Sequence, residues 1–186
     1  MRLKESDAAL TDEGSALAFA LNVRTTERWS IHSNLLFDSY EDKLDAANVR
    51  VEFRPNKDAI VNVVYTLREP LASFAARPVT EQVNTSAYIP INDNWSAFGA
   101  VRYSLEIGSS VEDMIGVEYD GCCWRVRLIY MSYLDTLRDV DVFIPEPELT
   151  RDRAFQFQFV LKGLGGFGNR VDNLMQDMIR GFNAKR

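Results

Sequence analysis

The sequence has little of what metal and redox sites need, with one histidine, His32, and two cysteines, Cys122 and Cys123. So few soft ligands exclude a zinc or iron–sulfur centre built from cysteine and histidine. Lysine and arginine number 21 against 27 acidic residues, so the chain lacks the basic excess typical of nucleic-acid binding. No apolar run reaches the roughly 18 residues that a membrane-spanning helix needs. The beginning, MRLKESDAALTDEG, also lacks the apolar core of a signal peptide.

What the sequence does have is a regular alternation of apolar and polar residues, which is typical of β-strands. The clearest example is ANVRVEFR, residues 47–54, in which every second residue is apolar. The pattern predicts nine antiparallel strands, over residues 16–26, 28–38, 46–54, 58–68, 82–91, 95–106, 111–120, 123–134 and 154–163.

The predicted strands are about 10 residues long, as tilted membrane strands are, whereas soluble strands average about 5 or 6. Their polar faces carry charges, and their apolar faces end in Trp, Tyr or Phe, which is typical of a lipid-facing band between aromatic girdles. We therefore predict an all-β fold, a fragment of an antiparallel transmembrane β-barrel. The alternative is a small soluble, lipocalin-like lipid-binding barrel, with apolar residues inside and charges outside.

The predicted connections alternate between short and long, and outer-membrane barrels have short periplasmic turns and long extracellular loops. The side that holds the turns 25–28, 55–58, 90–94 and 121–122 is therefore predicted to be periplasmic. After the last strand, an apolar stripe predicts a short helix with Asn169 as N-cap and Gly181 as its stop. We expect residues 1–168 to be barrel and 169–186 to be a periplasmic tail or helix, covering the barrel end or docking on a partner.

Motifs for catalysis are weak. GLGGFG, residues 163–168, resembles a nucleotide-binding loop, but it follows a strand without the required βαβ unit, so it predicts a bend. His32 with Ser30 or Asp38 is the candidate dyad of an outer-membrane enzyme, although nothing in their spacing favours catalysis. We expect no enzymatic activity, no catalytic residue, no cofactor and no metal.

Cys122 and Cys123 are adjacent in a predicted turn, and neighbouring cysteines do not easily reach disulfide geometry with each other. Either both are free thiols or both have partners outside this chain. The run YDGCCWRVRL resembles the YDSCCW signature of the LPS-assembly outer-membrane protein family, LptD, also called the organic solvent tolerance protein family. Residues 94–124 and FQFQFVLKGLGGFG, residues 155–168, resemble the neighbouring segments of that family. The resemblance is strong over residues 80–168 and rests upstream on the strand pattern; Gly121 stands where some relatives have serine.

The resemblance implies that the chain is the C-terminal part of a large barrel in the Gram-negative outer membrane. Such a barrel moves lipopolysaccharide (LPS) to the outer leaflet. The implied partners are LPS as transported substrate, the plug lipoprotein LptE, the periplasmic bridge protein LptA, the barrel-assembly machinery and outer-membrane lipid. Cys122 and Cys123 would form disulfides with an N-terminal region that this chain does not contain.

The same resemblance implies that acyl chains leave between the first and last strands of the barrel. One wall of that seam would be the last strand, with Phe155, Phe157, Phe159 and Leu161. The register of the strands predicts a set of charged lumen-facing residues, Arg50, Glu52, Arg54, Arg102, Glu106, Arg125 and Arg127. We expect these to hydrate the lumen or to contact the plug rather than to bind substrate directly.

Overall fold

The structure is a computed structural model that describes residues 16–39, 42–69, 79–135, 150–162, 165–167 and 169–182. These residues form nine long strands, one strand of three residues and one helix. In chain order they are β1 (Ala16–Arg24), β2 (Trp29–Asp38), β3 (Lys43–Phe53), β4 (Ile60–Arg68), β5 (Thr80–Pro90), β6 (Trp95–Ser104), β7 (Ser109–Asp120), β8 (Trp124–Asp135), β9 (Thr150–Leu161), β10 (Gly165–Phe167) and α1 (Asn169–Met178).

All strands belong to one sheet whose spatial order follows the chain from β1 to β10, each antiparallel to the next. The prediction of an all-β fold with nine long antiparallel strands is confirmed. The short strand β10 was not predicted: Gly165–Phe167 turns back to pair with residues 159–161 of β9. Among the described residues, the sheet therefore ends in β1 on one side and in β9 with β10 on the other.

The two faces of the sheet differ in chemistry because side chains alternate along each strand. We call the side that carries Val51, Val63, Leu128 and Phe157 the apolar face. The opposite side carries Arg50, Asn62, Arg127 and Gln158, and α1 packs against it, so we call it the helix face.

The buried core lies between the helix face and α1. Met175 of the helix and Ile179, directly after it, are 0% exposed, and they share one cluster with strand residues. The strand members of this cluster are Ile60, Tyr88, Phe98, Ala100, Met114, Ile129 and Met131. The amphipathic stripe of the C-terminal segment therefore packs on its own sheet. No helix among the described residues is long and apolar enough to span a membrane.

Tight turns join the strands at the edge we call the short-turn edge, formed by residues 25–28, 54–59, 91–94 and 121–123. Two of these turns use the same device. The Asn56 side chain accepts hydrogen bonds from the backbone N–H groups of Asp58 and Ala59 at 3.0 and 2.8 Å. Asn92 does the same for Asn94 and Trp95 at 3.0 and 2.8 Å. The opposite end of the sheet, which includes residues 105–108, is called the loop edge.

Candidate functional site

The apolar face exposes large hydrophobic side chains along the whole described sheet. Phe155 is 76% exposed, Phe157 is 67% exposed and Ile115 is 64% exposed. A contiguous exposed apolar surface of this extent is a site of interaction with a membrane or a partner. It is the inverse of a lipocalin-like barrel, whose apolar residues would be enclosed.

Aromatic rings follow the short-turn edge of this face. Trp29 packs on Phe53 with ring centroids 4.4 Å apart. Further along the edge, Trp95, Tyr119, Trp124 and Phe159 form a continuous row with centroid separations of 5.0, 4.8 and 6.3 Å. Rows of amphipathic rings of this kind are typical of the boundary between lipid and water.

The helix face holds a buried charge cluster centred on Arg127. This guanidinium is 1% exposed and pairs with Glu118 of β7, itself 3% exposed, and with Asp172 of α1. Gln158 of β9 accepts a hydrogen bond from Arg127 at 2.8 Å and donates one to Asp172 at 3.3 Å. Tyr88 donates to Glu118 at 2.9 Å. Because the buried charges are paired and hydrogen-bonded, the cluster avoids the cost of an isolated buried ion.

Most of the other charged residues predicted to face the lumen also lie on or beside the helix face. Arg102 pairs with Glu112 at 2.8 Å. Arg54 follows β3 and pairs with Glu52 at 2.6 Å. Arg125 is 7% exposed and lies 3.2 Å from Asp120, which also binds Lys162 at 2.6 Å.

Arg50 and Glu106 differ from these. Arg50 is half-buried on the helix face, and its Nε atom has no hydrogen-bond partner among the described residues. The assignment of Glu106 to a strand face was wrong, because β6 ends at Ser104 and Glu106 lies in an exposed turn. Gly108, with a φ of 67°, closes this turn by donating from its N–H to the Ser104 carbonyl at 3.0 Å.

A polar pocket opens between α1 and strands β4 to β6. Hydroxyl, amide and charged groups line it, among them Thr66, Gln82, Asn84, Arg102 and Arg180. Side chains of this kind can hydrogen-bond hydroxyl-rich or phosphorylated groups.

Cys122 and Cys123 occupy the exposed turn between β7 and β8, at the short-turn edge, and both are free thiols. Their sulfur atoms lie 2.8 Å apart. The neighbouring Cys122 thiol, first by hydrogen bonding, raises the pKa of Cys123 above its usual value. Both thiols are therefore accessible at the short-turn edge of the sheet.

The four residues predicted for the seam, Phe155, Phe157, Phe159 and Leu161, lie on the apolar face of β9 and are all exposed. Among the described residues, the free edge of β9 has a strand partner only at residues 159–161, where β10 pairs with it. From Thr150 to Gln158 this edge pairs with no other strand of the described part of the chain.

The enzyme alternative gains no support from the described residues. His32 Nδ1 lies 2.7 Å from the side-chain oxygen of Asn22 on β1, in a polar contact across the strand pair. The described residues contain no group of three or more histidine, cysteine or acidic side chains suited to a metal.

Sequence reasoning missed the partners of Arg127. Glu118 was not among the charged residues predicted to face the lumen, and it is buried because α1 covers this part of the helix face. Asp172, in the segment predicted to form the short helix, was not among the candidate site residues. The strand register could have identified Glu118, because it places Glu118, Arg127 and Gln158 in one row. Asp172 comes from the helix, and the register carries no signal for it.

Comparison with known proteins supplies the family. The family model LptD: LPS transport system D matches residues 2–95, most of which lie upstream of the segment that carries the strong resemblance. LPS-assembly protein LptD of Nitrosococcus oceani is 31% identical over 172 residues, covering 92% of this chain and 21% of that protein. The proteins of the same name from Xanthomonas campestris pv. campestris strain 8004 and Acinetobacter baumannii are 30% and 27% identical, covering 95% and 97% of this chain.

The chain spans about a fifth of the length of these relatives. The family match takes in half of the chain, and the matched relatives extend along nearly all of it. The sequence, the single antiparallel sheet and these matches together establish that the chain belongs to the LptD family, LPS transport system D.

Proposed function

We propose that the chain forms the C-terminal portion of an outer-membrane barrel that transports LPS and assembles it into the outer leaflet. The observation that carries this proposal is the contrast between the two faces of one sheet, exposed hydrophobic side chains on one and buried charges on the other. A sheet of long strands with this contrast fits between lipid and a polar lumen. The names of the relatives, LPS-assembly proteins, supply the cargo.

In this function no covalent bond is made or broken. The sugar and phosphate portion of LPS passes along the helix face, where the pocket with Gln82, Asn84 and Arg102 offers hydrogen-bonding groups. The acyl chains leave through a seam bounded by β9, whose apolar side chains match hydrocarbon. The charged residues of the helix face mainly keep the lumen hydrated or contact the plug.

The remaining parts of the proposal concern partners and topology. The plug lipoprotein LptE contacts the polar helix face beside α1, where Arg50 is half-buried. The bridge protein LptA delivers LPS from the periplasm, and the barrel-assembly machinery inserts the barrel. The short-turn edge and the C-terminus are on the periplasmic side. In support of this, Gly181 contacts Arg54, which lies at the short-turn edge, and Phe182 follows directly.

A cross-linking experiment in the full-length protein tests transport through the lumen. A photoreactive amino acid at Gln82, on the helix face, is expected to capture LPS only while new LPS is being supplied. The same probe at Val83, on the apolar face of the same strand, is expected to capture LPS already in the membrane and to keep doing so after supply stops. Absence of an LPS adduct at Gln82, or an adduct that persists without supply, contradicts transport along this face.

The two cysteines offer a second test. In the full-length protein, Cys122 and Cys123 are expected to be oxidised, each to a different cysteine of the N-terminal region, because their turn faces the oxidising periplasm. Thiol labelling before and after reduction, followed by mass spectrometry, identifies the partners. A Cys122–Cys123 bond as the main species, or labelling of both thiols without reductant, contradicts this tether.

A further inference from the structure

We propose that α1 is an internal strap that ties β9 to strands β3 and β4, and that it thereby makes β9 the stationary wall of the seam. The meaning of the seam rests on the proposed transport function, whereas the strap itself rests on contacts of the described residues. The movement that opens the seam then belongs to the other wall, formed by the first strand of the complete barrel.

One end of the strap is fixed by charge. Asp172, in the first turn of α1, contacts Arg127 of β8 and accepts a hydrogen bond from Gln158 of β9 at 3.3 Å. Gln158 is 2% exposed and also accepts from Arg127 at 2.8 Å, so the last two long strands and the helix share one closed set of bonds. Such charge-assisted bonds in a buried setting are stronger than neutral ones.

The other end is fixed by backbone carbonyls beyond the last turn of the helix. Asn62 of β4, which is 0% exposed, donates to the carbonyl of Arg180 at 2.8 Å. Arg54, directly after β3, donates to the carbonyl of Gly181 at 3.2 Å. Gly181 has a φ of 79°, a conformation that favours glycine and turns the chain towards Arg54 after the helix.

Between these ends, apolar contacts hold the strap down along its length. Met175 and Ile179 are fully buried, and Met178, which is 2% exposed, accepts a long contact from Arg102 of β6 at 3.7 Å. Phe182 packs on Tyr88 of β5 with ring centroids 5.0 Å apart. The helix therefore crosses the strands that separate β9 from β4, and these strands cannot splay apart without exposing its apolar side.

The free edge of β9 supports the same proposal. β10 pairs with residues 159–161 of β9 and directly precedes α1. The strap thus begins on the edge strand itself.

The experiment measures the distance between β9 and β4 in the full-length protein in lipid nanodiscs. Spin labels are attached to ketone-bearing amino acids at Phe155 and Val63, two exposed positions on the apolar face, so that the native cysteines stay intact. We compare the unmodified chain with Asp172→Asn, Asp172→Glu and Asp177→Asn. Asp177 is the matched control, since it is an exposed aspartate on the same helix.

The unmodified chain, Asp172→Glu and Asp177→Asn are expected to give one narrow distance distribution, and Asp172→Asn a broader one. Deletion of residues 169–186 is expected to broaden the distance distribution further. This variant decides the test if Asp172→Asn alone changes the distribution too little to measure. A distribution that stays narrow in both Asp172→Asn and the deletion variant overturns the strap. Surface LPS after depletion of the protein is measured separately: if it does not fall, the transport function fails, whatever the spin-label distances show.

Discussion

Arg127 of β8 is bound from both sides by carboxylates, by Glu118 of the neighbouring strand and by Asp172 of the C-terminal helix. The pair of Arg127 and Asp172 joins the sheet to a segment 45 residues further along the chain. The charge cluster is therefore both a buried ion network and the attachment point of α1.

Replacing Arg127 with alanine should be strongly destabilising, because Glu118 would remain buried without its counter-ion. Breaking one partner of a buried ion pair costs about 3–5 kcal/mol, whereas replacing all of its members with apolar residues is often tolerated. We therefore expect Arg127→Ala to lower the urea midpoint of the full-length barrel, and Arg127→Met with Glu118→Leu and Asp172→Leu to recover most of it. Arg68→Ala, at an exposed arginine of β4, is the control; equal effects of Arg68→Ala and Arg127→Ala would contradict the cluster's role.

A charge on the apolar face should interfere with membrane insertion. Leu128 is 50% exposed near the middle of β8, and arginine at the bilayer midplane costs about 2–4 kcal/mol, falling to about 0–1 near the interface. We expect Leu128→Arg to reduce the amount of folded barrel in the outer membrane. Ile91→Arg, at a 66% exposed position in a short turn, should have little effect. Similar assembly levels for the two variants would show that this face does not contact lipid.

The reduced cysteine turn should show a pH dependence of defined sign. The Cys122 thiol raises the pKa of Cys123, while the positive charge of Lys162 lowers it. Removing Cys122 with Cys122→Ala should therefore lower the pKa of Cys123 and shift its alkylation profile to lower pH, because more thiolate is present at each pH. Lys162→Gln should shift the profile to higher pH. Iodoacetamide alkylation of the reduced protein, followed by mass spectrometry, distinguishes the two shifts, and shifts in the same direction would contradict the assignment.

Residues 1–186 expressed alone should not form a closed monomeric barrel. The described sheet ends in β1 on one side and in β9, only partly covered by β10, on the other, and long exposed edges invite association with other strands. Phe19 and Leu21 on β1 are 56% and 58% exposed, so Phe19→Lys with Leu21→Lys should reduce aggregation measured by light scattering in detergent. Lysine at Ile91, away from both edges, should help less. A compact, heat-resistant monomer on a gel would count against this prediction.

Strand positions could be predicted from the sequence because one face of each strand is apolar and the other polar, so the period of two is visible locally. Eight of the nine predicted starts lie within a few residues of the observed ones for this reason, and β9 begins at Thr150 rather than at 154. The position of α1 depends on contacts that are distant in sequence. The sequence pattern of an amphipathic helix reveals its apolar side but not the surface against which that side packs. The packing of α1 on the helix face was therefore not predictable. Glu106 was misplaced because the local alternation continues through a turn that Gly108 closes.

The aromatic row of the short-turn edge has a practical consequence. All three tryptophans of the chain, Trp29, Trp95 and Trp124, lie at or next to that edge and on the same face. Intrinsic fluorescence of this segment therefore reports from one depth rather than from an average over the molecule. Lipids brominated at successive carbons of the acyl chain will quench that emission according to distance. The quenching therefore measures how deeply the short-turn edge lies in the bilayer.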